Sequence, residues 1–164
     1  MKIGIISDTH DNQSAIDEAV RIFNREEVEL VIHAGDWNAP FSMVRLARAK
    51  ARIVGVFGNV DGERDFMKEK AEEAGVEILG DSGELEEGGI KIALYHGNQE
   101  MFVDALSRSG MYNVVARGHT HNPELKNTGS CLVINPGEGC GYLTGKRTLV
   151  ILDTASMAAD IVDF

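Results

Sequence analysis

Three times within its first 74 residues, the chain runs through a short aliphatic, β-branched stretch and then into a helical pattern. Lys2 to Ser7 is the first such stretch, Leu30-Val31-Ile32 the second and Arg52-Ile53-Val54-Gly55-Val56 the third. After the first, residues 13–25 place Ile16, Ala19, Val20 and Phe23 at i, i+3, i+4, i+7 spacing, with Asp11 or Asn12 as the N-cap. A weaker helix is predicted over residues 41–49. Another is predicted over 63–74, where Phe66, Met67, Lys70 and Ala71 recur at helical spacing. Such alternation predicts parallel βαβ units. Open α/β sheets bind ligands at the carboxyl ends of their strands, so the residues leaving each strand are the functional candidates.

After Val76-Glu77-Ile78-Leu79 the texture changes. Glu84 to Glu87, Gly88-Gly89 and Ile90 to Tyr95 predict a hairpin, with the acidic run as its solvated edge. Its second strand ends in His96-Gly97-Asn98. A short helix over residues 100–107 leads to Val114-Val115-Ala116 and then to Gly118-His119-Thr120-His121. From Glu124 onward the pattern is β, with strands over residues 131–134, 148–152 and 159–162 and a turn at Asn135-Pro136-Gly137. A βα half followed by a mostly β half predicts an α/β fold of two sheets packed face to face, with helices outside. At 164 residues it forms one domain, spanning residues 1–164.

Composition narrows the partners. The net charge of −10, from 26 acidic and 16 basic residues, excludes a large surface tracking the phosphates of duplex nucleic acid. A small anionic substrate then needs a local positive centre, which points to metal. No apolar run approaches a membrane span, and Met1 to Ile6 lacks the layout of a signal peptide, so a cytoplasmic protein is expected. Cys131 and Cys140 are not in a zinc-knuckle spacing; Cys131 reads as a core residue, with a disulfide between the two as the alternative.

The polar residues at successive strand ends are Asp8 and His10, Asp36, Asn59, His96, and His119 with His121. Seven ligand-type side chains from five strand ends exceed chance placement. On extended backbone, residues i and i+2 point the same way, which would aim Asp8 with His10, and His119 with His121, into common volumes. Gly118 would let the chain turn without a Cβ penalty. Carboxylate, imidazole and amide oxygen together suit Mn, Fe, Zn, Ni or Co better than Mg or Ca, and the count suits two ions with Asp36 bridging them.

The ordered set D-x-H, G-D, G-N, H-G and G-H-T-H resembles the calcineurin-like metallophosphoesterases. The short length and the G-N-x-D form resemble their small archaeal and bacterial phosphodiesterase branch. The resemblance runs from Asp8 to Asn135-Pro136-Gly137. It implies a four-layer αββα sandwich, with one ion held by Asp8, His10, Asp36 and His121 and a second by Asp36, Asn59, His96 and His119. It also implies hydrolysis of a small phosphodiester by in-line attack of a metal-bound hydroxide, with Asp36, Asn59 and His96 at the reacting centre. A phosphomonoesterase is the alternative within the enzyme class. The retromer's vacuolar-sorting subunit, a protein-interaction scaffold in the same family, is the alternative outside it; erosion of the ligands would mark that case, and here all seven are present. A homodimer is compatible with the family.

Larger members carry G-N-H-[DE], whose histidine can protonate the leaving oxygen. This chain has Gly58-Asn59-Val60-Asp61, and Val60 transfers no proton, which leaves Asp61 as an acid or as a cap of the next helix. His33 matches a family histidine and is expected behind the ligands. Trp37 either lines the substrate entrance or packs; Arg117 either reaches a phosphate or lies on the surface; Asn98 is a candidate substrate contact.

Overall fold

In the computed structural model, which describes residues 1–164, eleven strands and four helices follow one another in the expected alternation. The first half comprises β1 (Lys2–Ile6), α1 (Gln13–Arg25), β2 (Leu30–His33), α2 (Pro40–Leu46), β3 (Arg52–Gly55), α3 (Arg64–Ala74) and β4 (Val76–Ile78). The second comprises β5 (Ser82–Glu87), β6 (Ile90–Tyr95), α4 (Glu100–Arg108), β7 (Val114–Ala116), β8 (Pro123–Thr128), β9 (Cys131–Pro136), β10 (Thr148–Asp153) and β11 (Ala158–Asp163). One sheet has the order β11-β10-β1-β2-β3-β4 and the other β5-β6-β7-β9-β8. β1 to β4 pair in parallel, as do β6, β7 and β9, while β5, β8, β10 and β11 join antiparallel.

The period of two along each strand divides its side chains between two cores. Ile3 and Ile5 of β1, Leu30 and Ile32 of β2 and Val54 of β3 face Ile92, Leu94, Val114, Ala116 and Ile134 of the second sheet. The opposite face of the first sheet, with Val31 and Ile53, meets Ile16, Phe23, Met43 and Met67 of α1, α2 and α3. On the far side of the second sheet, Val115 and Val133 pack on Val103 of α4. The layers are therefore α, β, β, α. Each fully buried Ile, Leu or Phe contributes roughly 1.5–3 kcal/mol, so the two large cores, not the loops, hold the strand ends in place. At Gly4 the Phe23 ring lies where a Cβ would stand, which lets α1 sit close on the first sheet.

The departures from expectation are local. α2 starts at Pro40 and ends at Leu46, because Arg48 and Ala49 donate to carbonyls three residues back and the last turn tightens. β8 carries no hydrophobic alternation; Pro123 to Thr128 are placed by their antiparallel pairing with β9. Asn135 and Pro136 belong to β9, and the chain turns only at Gly137, φ 80°. Cys131 and Cys140 are both buried and free, so no disulfide joins them.

Candidate metal centre

The carboxyl ends of β1, β2 and β3 in one sheet and of β6 and β7 in the other open onto the seam between the sheets. Backbone hydrogen bonds continue past the strands there. Asp8 and His10 donate to the carbonyls of Gly35 and Asp36 at 3.0 and 3.1 Å, and Gly118 donates to the carbonyl of His96 at 2.8 Å. The expected extended geometry does not occur. Asp8, His10, Asp36, His119 and His121 all have positive φ, between 40° and 70°. Asp and His tolerate this region better than most residues, yet each such position still costs about 1–2 kcal/mol. Alternate left-handed residues, rather than a pleat, swing the side chains of each pair inward.

Gly118 plays a different part from the one expected, since its φ is not positive. A Cβ there would collide with Ser7 Oγ and Asp8 Oδ2, and one on Gly58 would collide with Asp36 Oδ1. Both glycines permit close approach of one loop to the carboxylate of another.

Five of the side chains meet directly. Asp36 Oδ2 lies 3.2 Å from His96 Nε2 and 3.7 Å from His10 Nε2. Asp8 Oδ1 lies 3.3 Å from His121 Nε2, 3.9 Å from His10 Nε2 and 4.0 Å from His96 Nε2. His119 joins edge-on, its ring centroid 5.3 Å from that of His96, and its backbone N–H donates to Asp8 Oδ2 at 3.1 Å. Asn59 is exposed beside them; the Val60 N–H that follows it donates to Asp36 Oδ1 at 3.1 Å.

Three of these buried atoms, Asp8 Oδ1, His10 Nε2 and His96 Nε2, have no hydrogen-bond partner. A buried group left unpaired costs about 1–3 kcal/mol, and here all three converge on one volume. Donor chemistry of this kind, two carboxylates among imidazoles, fits divalent metal, and Asp8, His10 and Asp36 bring ligand atoms within 4.8 Å of one another. Burial pushes the Asp8 carboxyl above its ordinary value, against the opposing pull of His96. Burial also works on Asp36, but the His96 ring 3.2 Å away and the Val60 N–H outweigh it and hold that carboxyl low. His96 is desolvated too, yet Asp36 and Asp8 raise it. Burial, reinforced by His96, lowers His119.

The surrounding residues correct several expectations. Trp37 is fully buried, stacked on His33 at 3.5 Å between centroids and donating Nε1–H to the Val56 carbonyl at 2.9 Å, so it packs in the core. Asp61 is buried and docks one loop on another. Its two oxygens accept the N–H groups of Asp36, Asn38 and Gly58 at 3.1, 2.7 and 2.7 Å, which docks the loop carrying Asn59 onto the loop carrying Asp36. Both oxygens are engaged by backbone N–H groups, although burial pushes the carboxyl above its ordinary value. Arg117 is neither at the surface nor at the centre. It is buried under the loops after β6 and β7, paired with Glu100 and donating to the carbonyls of Gly97 and Gly118. His33 does lie behind the ligands, with Nε2 2.9 Å from Thr9 Oγ1, and burial holds it well below its ordinary value, hence neutral. Asn98 lines a cavity of about 200 Å³ together with Asn59, Arg64 and Tyr95. A larger cavity, about 480 Å³, lies away from the centre between α4 and the β5–β6 edge.

One carboxylate was not anticipated. Glu138, fully buried, accepts from His121 Nδ1 at 2.6 Å. Burial alone would raise its carboxyl, but His121, Thr144 and Leu143 bring it down to about 2. It sits in a Gly-rich stretch without periodicity, and nothing local to residues 137–147 distinguishes it from a surface glutamate.

Comparison with known proteins agrees with this geometry. The family model described as the calcineurin-like phosphoesterase superfamily domain matches residues 1–157. A phosphodiesterase from Methanocaldococcus jannaschii is 44% identical over 155 residues, covering 94% of this chain and 93% of that protein. A solved structure described as a novel archaeal phosphodiesterase superposes with a TM-score of 0.95 at 41% identity, over 100% of both chains. Vps29 from Entamoeba histolytica, solved with zinc, shares the fold at a TM-score of 0.71 and 20% identity, over 99% of both chains. Family model, close relative and strand-end geometry agree, and the chain belongs to the calcineurin-like phosphoesterase superfamily.

Proposed function

We propose that this protein is a metal-dependent phosphodiesterase in which Asp8, His10, Asp36 and His121 hold one divalent ion and Asp36, Asn59, His96 and His119 hold a second. The observation that carries this reading is the convergence of the unpaired Asp8 Oδ1, His10 Nε2 and His96 Nε2 beside Asp36. Imidazole-rich ligation favours Mn, Fe, Co, Ni or Zn. When bound, two such ions lower the pKa of a water they share and clamp the nonbridging phosphoryl oxygens.

The chain's own residues do the rest. Asp36 would be the ligand shared by both ions; its Oδ2 faces both His96 and His10 while Val60 fixes its Oδ1. His96 is oriented by its Nδ1–H on the Ala34 carbonyl at 2.8 Å, which turns Nε2 toward the carboxylates. Asp61 holds the Asn59 loop against Asp36. Two dications against two carboxylates leave a locally positive centre, so a phosphate is attracted despite the net charge of −10. The diester's far group fits the cavity beside Asn59, where Asn98, Tyr95 and the guanidinium of Arg64 offer polar contacts. A cytoplasmic setting and homodimeric assembly complete the reading; no helix is long and apolar enough to cross a membrane.

Stripping the protein with a chelator and reloading it ion by ion, against a paired aryl diester and aryl monoester, tests the proposal. Diester hydrolysis should vanish on stripping and return with Mn²⁺ or Ni²⁺ better than with Mg²⁺, with the monoester turned over more slowly. Preference for the monoester would make this a phosphomonoesterase. No hydrolysis of either substrate by protein holding two ions would leave the fold as a scaffold.

A further inference from the structure

The four histidines of the centre are not held alike. His96 donates Nδ1–H to a backbone carbonyl, which no substitution removes. His10 and His119 have no side-chain hydrogen bond that fixes their rings. His121 alone is backed by a carboxylate, Glu138, with Nδ1 and Oε2 2.6 Å apart.

Every other group on that carboxylate is a donor. Oε1 accepts from Thr144 N–H at 2.6 Å, Thr144 Oγ1 at 2.7 Å and Leu143 N–H at 3.1 Å; Oε2 also accepts from Cys140 Sγ at 3.3 Å. The loop that supplies these donors is stitched to the Asp8 loop. Gly139 N–H donates to the Ser7 carbonyl at 2.8 Å, Cys140 N–H to the Asp8 carbonyl at 3.0 Å, and Asn12 Nδ2 to the Cys140 carbonyl at 2.8 Å. Glu138 is thus an acceptor held by the protein's own donors, independent of any ion.

We infer that Glu138 is a positioning residue that fixes His121 as the Nδ1–H tautomer with its Nε2 lone pair toward Asp8, and that this makes the Asp8–His10–Asp36–His121 site the tighter of the two. An acceptor-only partner forces the hydrogen onto Nδ1, and a carboxylate behind a ligating imidazole raises its donor strength. The charges point the same way. Asp8, Asp36 and, through the ring, Glu138 serve this site, whereas the other has Asp36, an amide and two imidazoles. The site containing His121 therefore fills first. This inference rests on the ligand assignment proposed above.

Two measurements test it, and the first needs no metal and no variant. In metal-free wild-type protein, at a pH where the ring is neutral, ¹⁵N correlation spectra should show His121 with its hydrogen on Nδ1. A ring protonated mainly on Nε2 overturns the inference. Titration with Mn²⁺ should then show Glu138→Gln weakening one of two binding events by about 10–100-fold while sparing the other. Glu138→Asp should recover part of the loss. In a His121→Ala background Glu138→Gln should weaken metal binding no further, whereas an effect confined to loop stability would add. Two wild-type binding events in folded Glu138→Gln would also overturn it. Wild-type protein that binds fewer than two ions would instead break the two-ion reading, and the tautomer would still decide the role of Glu138.

Discussion

Asp8 shows most clearly how the centre sets function against stability. Its carboxyl is fully buried, raised by desolvation, and one oxygen lacks any partner. A carboxyl whose folded value lies above its unfolded value destabilises the fold as pH rises past the unfolded value, and the deficit disappears below it. Above the folded value the metal-free protein carries that deficit in full. Asp8→Asn keeps an oxygen for the His119 N–H and removes the charge. It should therefore raise the melting temperature of chelator-treated protein, by about 2–4 °C for each kcal/mol recovered, while weakening metal binding. A lower melting temperature for the variant in chelator would count against this account. Val60 is the other instructive residue. It is 42% exposed, and its N–H donates to Asp36, so its side chain stands at the edge of the centre where larger relatives place an acid. Asp61 accepts three backbone N–H groups and Val60 carries no proton, so the proposed reaction is expected to lack a positioned acid, which is worth roughly 10²–10⁴-fold. Across substituted aryl diesters, log k should fall steeply with leaving-group pKa in the wild type and less steeply in Val60→His. Equal slopes would place the proton donor elsewhere.

Among the elements, the parallel units were legible because their signals are local. The helix over residues 13–25 has one apolar stripe and an Asn12 cap whose Oδ1 accepts from Ala15 N–H at 3.2 Å, and the structure begins and ends it where the periodicity does. The seven strand-end side chains were legible for a related reason: a polar residue closing an aliphatic run has few other uses. What the chain does between strands was not legible. The pairs Asp8/His10 and His119/His121 converge through left-handed φ values that tertiary hydrogen bonds impose, and a two-residue spacing carries no trace of them. β8 has Leu125 as its one large apolar residue, too little for a strand pattern, and is recruited by its pairing with β9. Trp37, Asp61 and Arg117 looked functional because each neighbours a ligand in sequence. Their side chains turn away from the centre, respectively into the core, onto three amides and beneath two loops. Glu138 is their converse, distant from every ligand in the chain and in contact with one in space.

At the scale of the whole molecule, the centre is a seam. Asp8, His10, Asp36 and Asn59 come from the first sheet, and His96, His119, His121 and Glu138 from the second. The Asp36–His96 pair and the hydrogen bond from His96 to the Ala34 carbonyl cross between them. Neither sheet alone offers more than part of a site, so metal that binds the folded chain stabilises the packing of one sheet on the other. Asp36 is the proposed shared ligand, since its Oδ2 lies 3.2 Å from His96 Nε2 and 3.7 Å from His10 Nε2. Counting bound ions by elemental analysis in the wild type, Asp36→Asn and His10→Ala tests this arrangement most directly. The account expects two ions per chain in the wild type, one in His10→Ala, and fewer than one at comparable metal in Asp36→Asn, with turnover lost in the last. Two ions retained by Asp36→Asn at wild-type affinity would contradict it.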